Sequence, residues 1–76
     1  MSDTQTFDFS ELEKKWPSAL VARTDVGPFS GGVLHPRTMA NVDSLGQGPP
    51  SVRIGRSVAY PVRPLIEWMR KRSERG

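Results

Sequence analysis

The sequence predicts a mainly α-helical fold carrying one small β-hairpin, and three observations support this. Pro36 and Gly46 bracket a run whose apolar residues recur at helical spacing. The segments Val52-Arg53-Ile54 and Val58-Ala59-Tyr60 alternate like strands around Gly55-Arg56-Ser57. Leu65, Trp68 and Met69 form a last apolar stripe behind Pro64.

Taken in order, the chain begins with residues 1–8, which hold little to anchor them and read as a flexible N-terminus. Ser10-Glu11-Leu12-Glu13 has the capping-box pattern, with Ser10 as N-cap and Glu13 three residues on. Phe9, Leu12 and Trp16 share a side, and Pro17 ends this short helix because it biases Trp16 away from helical angles. Its role is to lay Leu12 and Trp16 over the core. The apolar run Ala19-Leu20-Val21-Ala22 is too short to classify by periodicity.

Thr24 can cap a following turn, with Val26 and Phe29 three apart on it. Gly27 and Pro28 are poor helix residues, so this element should be short or irregular. Gly31-Gly32 marks a turn. Pro36 suits a first helical position and Gly46 a left-handed stop, so residues 36–45 read as a helix. Its inner stripe is Met39, Val42 and Leu45. Arg37, Thr38, Ala40, Asn41 and Ser44 remain outside, a small polar face without the Glu/Lys pairs of a merely solvated helix.

Gly46-Gln47-Gly48-Pro49-Pro50 reads as a rigid connector. By parity, Val52, Ile54, Val58 and Tyr60 should share one face of the hairpin, with Arg53 opposite and Arg56 at the tip. Pro64 should then open the last helix. Helix, short helix, turn, helix, hairpin, helix is the plan of a winged helix-turn-helix with one extra N-terminal helix. The domain should span 9–72, followed by a basic tail over 73–76.

Composition bounds the function. With 76 residues, 36% hydrophobic and 25% charged, the chain is one small globular domain. It has no cysteine, hence neither a disulfide nor a cysteine-based zinc site. The acidic start, with Asp3 and Asp8, does not resemble a signal peptide, and no apolar segment is long enough to span a membrane. The expected location is cytoplasmic, with no membrane association. Net charge is +3, but unevenly spread. Residues 1–22 carry four acids against two lysines, whereas residues 23–76 carry nine Lys/Arg against four acids. A polyanion should therefore meet the later part. Charge alone leaves a merely solubilising basic surface as the competing reading.

The run from about Ala19 to Arg72 resembles the excisionase-like, AlpA-like branch of the MerR-type winged-helix superfamily. The resemblance rests on Pro36-Arg37-Thr38-Met39-Ala40-Asn41, on Gly48-Pro49-Pro50, on Arg53-Ile54-Gly55-Arg56, and on Tyr60 followed by Leu65-Ile66-Glu67-Trp68-Met69. It implies a recognition helix at Pro36–Leu45 and a wing at the hairpin. It also implies a small DNA-binding protein, often carried by prophages, that serves in recombination or as a transcription regulator. Two stretches depart from the pattern: Asp25-Val26-Gly27-Pro28-Phe29 replaces a regular alanine-containing helix, and Arg63 replaces a better cap.

The side chains can be assigned to duplex DNA one by one. Arg37 has the geometry for guanine O6 and N7, and Asn41, a turn later, for adenine N6 and N7. Thr38 suits a thymine methyl or a phosphate, and Ser44 a phosphate. Arg53 and Arg56 suit phosphates or a narrow minor groove, and Ser57 can add a phosphate hydrogen bond. Asp43 would repel phosphate, so it should face sideways or pair with an arginine. For each basic or polar residue the competing role is a solvated surface. Trp16, Phe29, Tyr60 and Trp68 could stack on bases, but their spacing favours the core. Arg70-Lys71-Arg72 should offer non-specific phosphate attraction at most.

Catalysis is not expected. The one histidine, His35, has no cysteine or carboxylate cluster with which to build a metal site, and Ser30-Gly31-Gly32 lacks the lysine of a phosphate loop. No cofactor is implied. The expected partners are double-stranded DNA, an integrase or recombinase, and further copies binding cooperatively on DNA. A protein-interaction module without DNA affinity is the reading from another class.

Overall fold

The short apolar run before Arg23 is a strand, and it changes the architecture. In the computed structural model, which describes residues 9–73, β1 (Leu20–Ala22), β2 (Val52–Ile54) and β3 (Ser57–Pro61) form one antiparallel sheet. β3 lies in the middle, pairing Tyr60 with Val21 and Ala59 with both Ala22 and Val52. The expected lone hairpin is thus part of a three-stranded sheet, and the described chain is about half helical. A β-branched residue opposite an aromatic one is a favourable cross-strand pair, which Val21 and Tyr60 supply. The flexible start expected over residues 1–8 lies outside the described residues, as does the expected tail beyond Ser73.

The hairpin corrects the parity reading. Val52 pairs with Ala59, Arg53 with Val58 and Ile54 with Ser57, around the two-residue turn Gly55-Arg56. Directly paired residues share a face. The even-numbered residues of β2 therefore lie with the odd-numbered residues of β3. Val52 and Ile54 fall on the outer face, 40% and 62% exposed, away from Val58 and Tyr60. Arg53 lies on the Tyr60 side. Gly55 adopts φ 63°, as the first position of a tight primed hairpin turn requires, and Ser57 already belongs to β3.

Helix α1 (Ser10–Lys15) has Phe9, not Ser10, at its cap position. Ser10 is already the first helical residue, and the Glu13 carboxylate accepts a 2.8 Å hydrogen bond from Arg63 Nε. Trp16 turns extended before Pro17, as expected. Its ring meets Phe29 edge-on at 5.3 Å, and its indole N–H donates to the Leu20 carbonyl at 2.9 Å.

Thr24 does not cap the next element. It lies inside the 3₁₀ turn Arg23–Asp25, which runs into the single-turn helix α2 (Val26–Phe29). Pro28 is tolerated because it is the third helical residue, whose N–H would have no intrahelical acceptor. Gly32 N–H closes back on the Gly27 carbonyl at 2.7 Å. The Ser30 hydroxyl donates to the Val26 carbonyl at 2.6 Å and accepts from Leu34 N–H at 2.8 Å, so this buried turn has its polar groups satisfied.

Helix α3 (Pro36–Ser44) has Pro36 at its first position. It stops at Gly46 (φ 74°) in a Schellman arrangement, with Gly46 N–H to Asp43 O at 3.0 Å and Gln47 N–H to Val42 O at 2.9 Å. Met39 is fully buried and Val42 half-buried. Leu45, expected in the inner stripe, sits past the helix end and is 68% exposed.

Helix α4 (Val62–Ser73) starts two residues before Pro64. Val62 N–H donates to the Ala19 carbonyl at 2.9 Å, which ties the helix entry to the start of β1. Pro64, again third in its helix, removes no intrahelical bond. Val62, Leu65 and Ile66 carry the buried face, flanked by half-buried Trp68 and Met69. They join Val21, Val26, Phe29, Leu34, Met39 and Tyr60 in one core. Burying a side chain of this size contributes about 1.5–3 kcal/mol, so each is a large share of what so small a fold can hold.

Candidate nucleic-acid interface

Helix α3 offers its solvent face intact. At 3.6 residues per turn, Arg37, Asn41 and Ser44 fall within an arc of roughly 60° opposite Met39, with Thr38 and Ala40 on the flanks. Arg37, Thr38, Asn41 and Ser44 are all exposed. The Ser44 hydroxyl donates to the Asn41 carbonyl at 2.8 Å, which leaves the Asn41 amide out of that bond. His35 holds the extended cap position before the helix.

The inner side of α3 is fixed at two places. Asp43 Oδ2 accepts from Arg23 Nη2 at 2.6 Å and from the Tyr60 hydroxyl at 2.7 Å, while Arg23 Nε donates to the Tyr60 oxygen at 3.0 Å. This closed triangle joins α3, the 3₁₀ turn and β3. One turn further on, Trp68 Nε1 donates to the Gln47 carbonyl at 2.9 Å and so holds the end of α3 to α4. Burial pushes the Tyr60 hydroxyl pKa up, and its bond to Asp43 adds to the rise. Hydrogen bonding to Tyr60 raises the Arg23 pKa, so this guanidinium stays charged.

The expectation that Asp43 pairs with an arginine is met by Arg23. Arg23 itself was not singled out from the sequence, and neither was the polar role of Tyr60. Both residues are far from Asp43 in the chain, so no local spacing signals the triangle. Gly48 lies against it: a Cβ at this position would collide with the Asp43 carboxylate.

The hairpin residues are split between two faces. Arg53, exposed on β2, lies on the same face as Tyr60 and hence on the side from which Tyr60 reaches α3. Ser57 points to the opposite face with Ile54, and Arg56 occupies the turn. Arg56 and Ser57 line a cleft of about 190 Å³ together with Ala22, Arg23, Thr24 and Val58.

The basic end of α4 is partly engaged. Arg72 lies 4.7 Å above the Trp68 ring and Arg70 lies 5.7 Å above Phe9, within cation–π range. Arg72 also borders an apolar groove of about 470 Å³ lined by Phe9, Leu12, Val33, Leu34, Trp68 and Met69. Among the described residues, no helix is long and apolar enough to cross a membrane, and no three His, Cys, Asp or Glu side chains gather as a metal site. No protein-family model, curated protein sequence or solved structure matches the chain.

Proposed function

We propose that this protein binds duplex DNA as a small winged helix-turn-helix domain, acting by recognition rather than catalysis. Helix α3 enters the major groove, and the β2–β3 hairpin lies against the neighbouring backbone or minor groove as the wing. The observation that carries this reading is the contrast between the two sides of α3. Its inner side is anchored through Asp43 and Gln47 to three other elements, while Arg37, Asn41 and Ser44 face solvent along one arc. A helix anchored on one side with a polar face open on the other suits base-edge hydrogen bonding, because little backbone order remains to be imposed on binding.

In this reading Arg37 and Asn41 read bases, Thr38 contacts a thymine methyl or phosphate, and Ser44, Arg53, Arg56 and Ser57 hold the backbone. The resemblance to excisionase-like proteins extends the proposal to a recombination directionality factor. Copies would bind cooperatively at clustered sites, bend the DNA and assist an integrase in the cytoplasm. The same contacts would serve a transcription regulator.

The test is selection of sheared genomic DNA from the source organism on the purified protein at moderate salt, followed by sequencing. Clustered repeats beside an integrase gene or attachment site support the recombination role; enrichment at promoters favours the regulator. If no sequence is enriched and residual binding vanishes with salt, specific reading of DNA is wrong.

A further inference from the structure

We infer that the cleft between Arg23-Thr24 and Arg56-Ser57 is a seat for one phosphate of a DNA backbone. The inference rests on the DNA-binding reading and adds to it a contact from the segment that precedes α2. The cleft, of about 190 Å³, is lined by Arg23, Thr24, Arg56 and Ser57 together with Ala22 and Val58. A phosphodiester offers acceptor oxygens and one negative charge, which is what four such donors satisfy.

Arg23 is the oriented member. Its Nε is held on the Tyr60 oxygen and its Nη2 on Asp43 Oδ2. A guanidinium carries five N–H donors in a fixed plane, so three remain beyond those two bonds. The Arg23 side chain is 27% exposed, which leaves an edge open to solvent. Its charge is offset by Asp43, so the net attraction in the cleft comes from Arg56 while Arg23 supplies direction. Thr24 and Ser57, both exposed, line the cleft from its two walls, and their hydroxyls are the donors the seat would offer beside the two arginines. Asp25, the acid next along the chain, is not among the lining residues.

The seat also bridges the two proposed DNA-contacting elements. One wall is the turn bonded to α3 through Asp43, and the other is the hairpin tip. A phosphate held there would set the distance between recognition helix and wing on the duplex.

The experiment compares wild type with Thr24→Ala, Thr24→Glu, Ser57→Ala and Arg56→Gln by fluorescence anisotropy on a duplex of unrelated sequence across a salt series. All four changes are on exposed residues, and thermal melting checks that each variant folds. Arg56→Gln should reduce the slope of log affinity against log salt by about one. Thr24→Ala and Ser57→Ala should each weaken binding several-fold, and Thr24→Glu more than tenfold. If the wild type binds but the Thr24 and Ser57 variants bind equally well, the seat is overturned and the DNA reading stands. The same holds if only Arg56→Gln has an effect, because a tip arginine then acts without the cleft. If the wild type binds no duplex, the DNA reading fails and the seat with it.

Discussion

The indole N–H of Trp68 points at the carbonyl of Gln47 from 2.9 Å, bridging the last helix to the residue that follows the glycine stop of α3. Trp68 thus both flanks the core and fixes where α3 ends. Replacing it with Phe keeps the apolar ring but leaves the carbonyl to water. Trp68→Phe should cost about 1 kcal/mol in denaturant unfolding, the usual worth of one such bond. If stability is unchanged, the bond contributes nothing to holding the helix end.

The Asp43 triangle should be stronger. Tyr60→Phe removes one hydroxyl and leaves Arg23 on Asp43, for an expected loss of about 1 kcal/mol. Asp43→Ala takes the carboxylate from the partly exposed Arg23 guanidinium and from the hydroxyl of the buried Tyr60, for about 2–3 kcal/mol. Urea unfolding of both variants checks the order; a smaller loss for Asp43→Ala than for Tyr60→Phe would show that the carboxylate is not the hub.

Gly48 offers a test of packing on that hub. Gly48→Ala should destabilise the wild type, because the new Cβ meets the Asp43 carboxylate and lies 3.4 Å from Val42 Cγ2. Placed on Asp43→Ala, the same change should cost much less. A double-mutant cycle reads the difference, and additivity of the two changes would place the strain elsewhere.

Alkaline pH should weaken the fold through Tyr60, the one tyrosine in the chain. Its folded pKa is raised above the ordinary 10.0, mainly by burial. The folded state therefore holds the phenolic proton more tightly than the unfolded state. The stability this contributes is whole below about pH 10 and is lost as pH climbs toward the folded pKa. Tyrosinate absorbance in native protein should rise at higher pH than in urea, and Tyr60→Phe should flatten the alkaline loss. A native titration at or below the unfolded one would reverse the sign.

On DNA, Arg37→Ala should cost about 1–3 kcal/mol on the selected site and relax preference at one base pair. Asn41→Ala should relax a neighbouring position. Equal losses on every sequence would make Arg37 a phosphate contact.

Parts of this fold were legible because their signals are local. Pro36 and Gly46 bound α3 on their own chemistry, and Pro17 ends α1 by steric restriction of Trp16. What escaped depends on partners distant in the chain. Leu20–Ala22 becomes a strand only because β3 lies beside it. Glu13 pairs with Arg63, fifty residues on, a partner that no local spacing marks. The misread face of Val52 and Ile54 has a smaller cause: a two-residue turn reverses the parity that a three-residue one would keep. The exposed face of α3 was read correctly as a polar arc, but nothing near Asp43 in sequence marks Arg23 and Tyr60 as its companions.

The sheet order has a consequence for anyone wishing to transplant this domain. Everything from the 3₁₀ turn to the hairpin is threaded between two strands that meet only at Val21 and Tyr60 and their neighbours. A fragment carrying just α3 and the hairpin would leave the middle strand open along one edge. It would also lose Arg23, and with it the direct tie between the helix and what precedes it. The unit is therefore indivisible as a graft: α3 and the hairpin can be moved to another scaffold only if that scaffold supplies its own counterpart of β1.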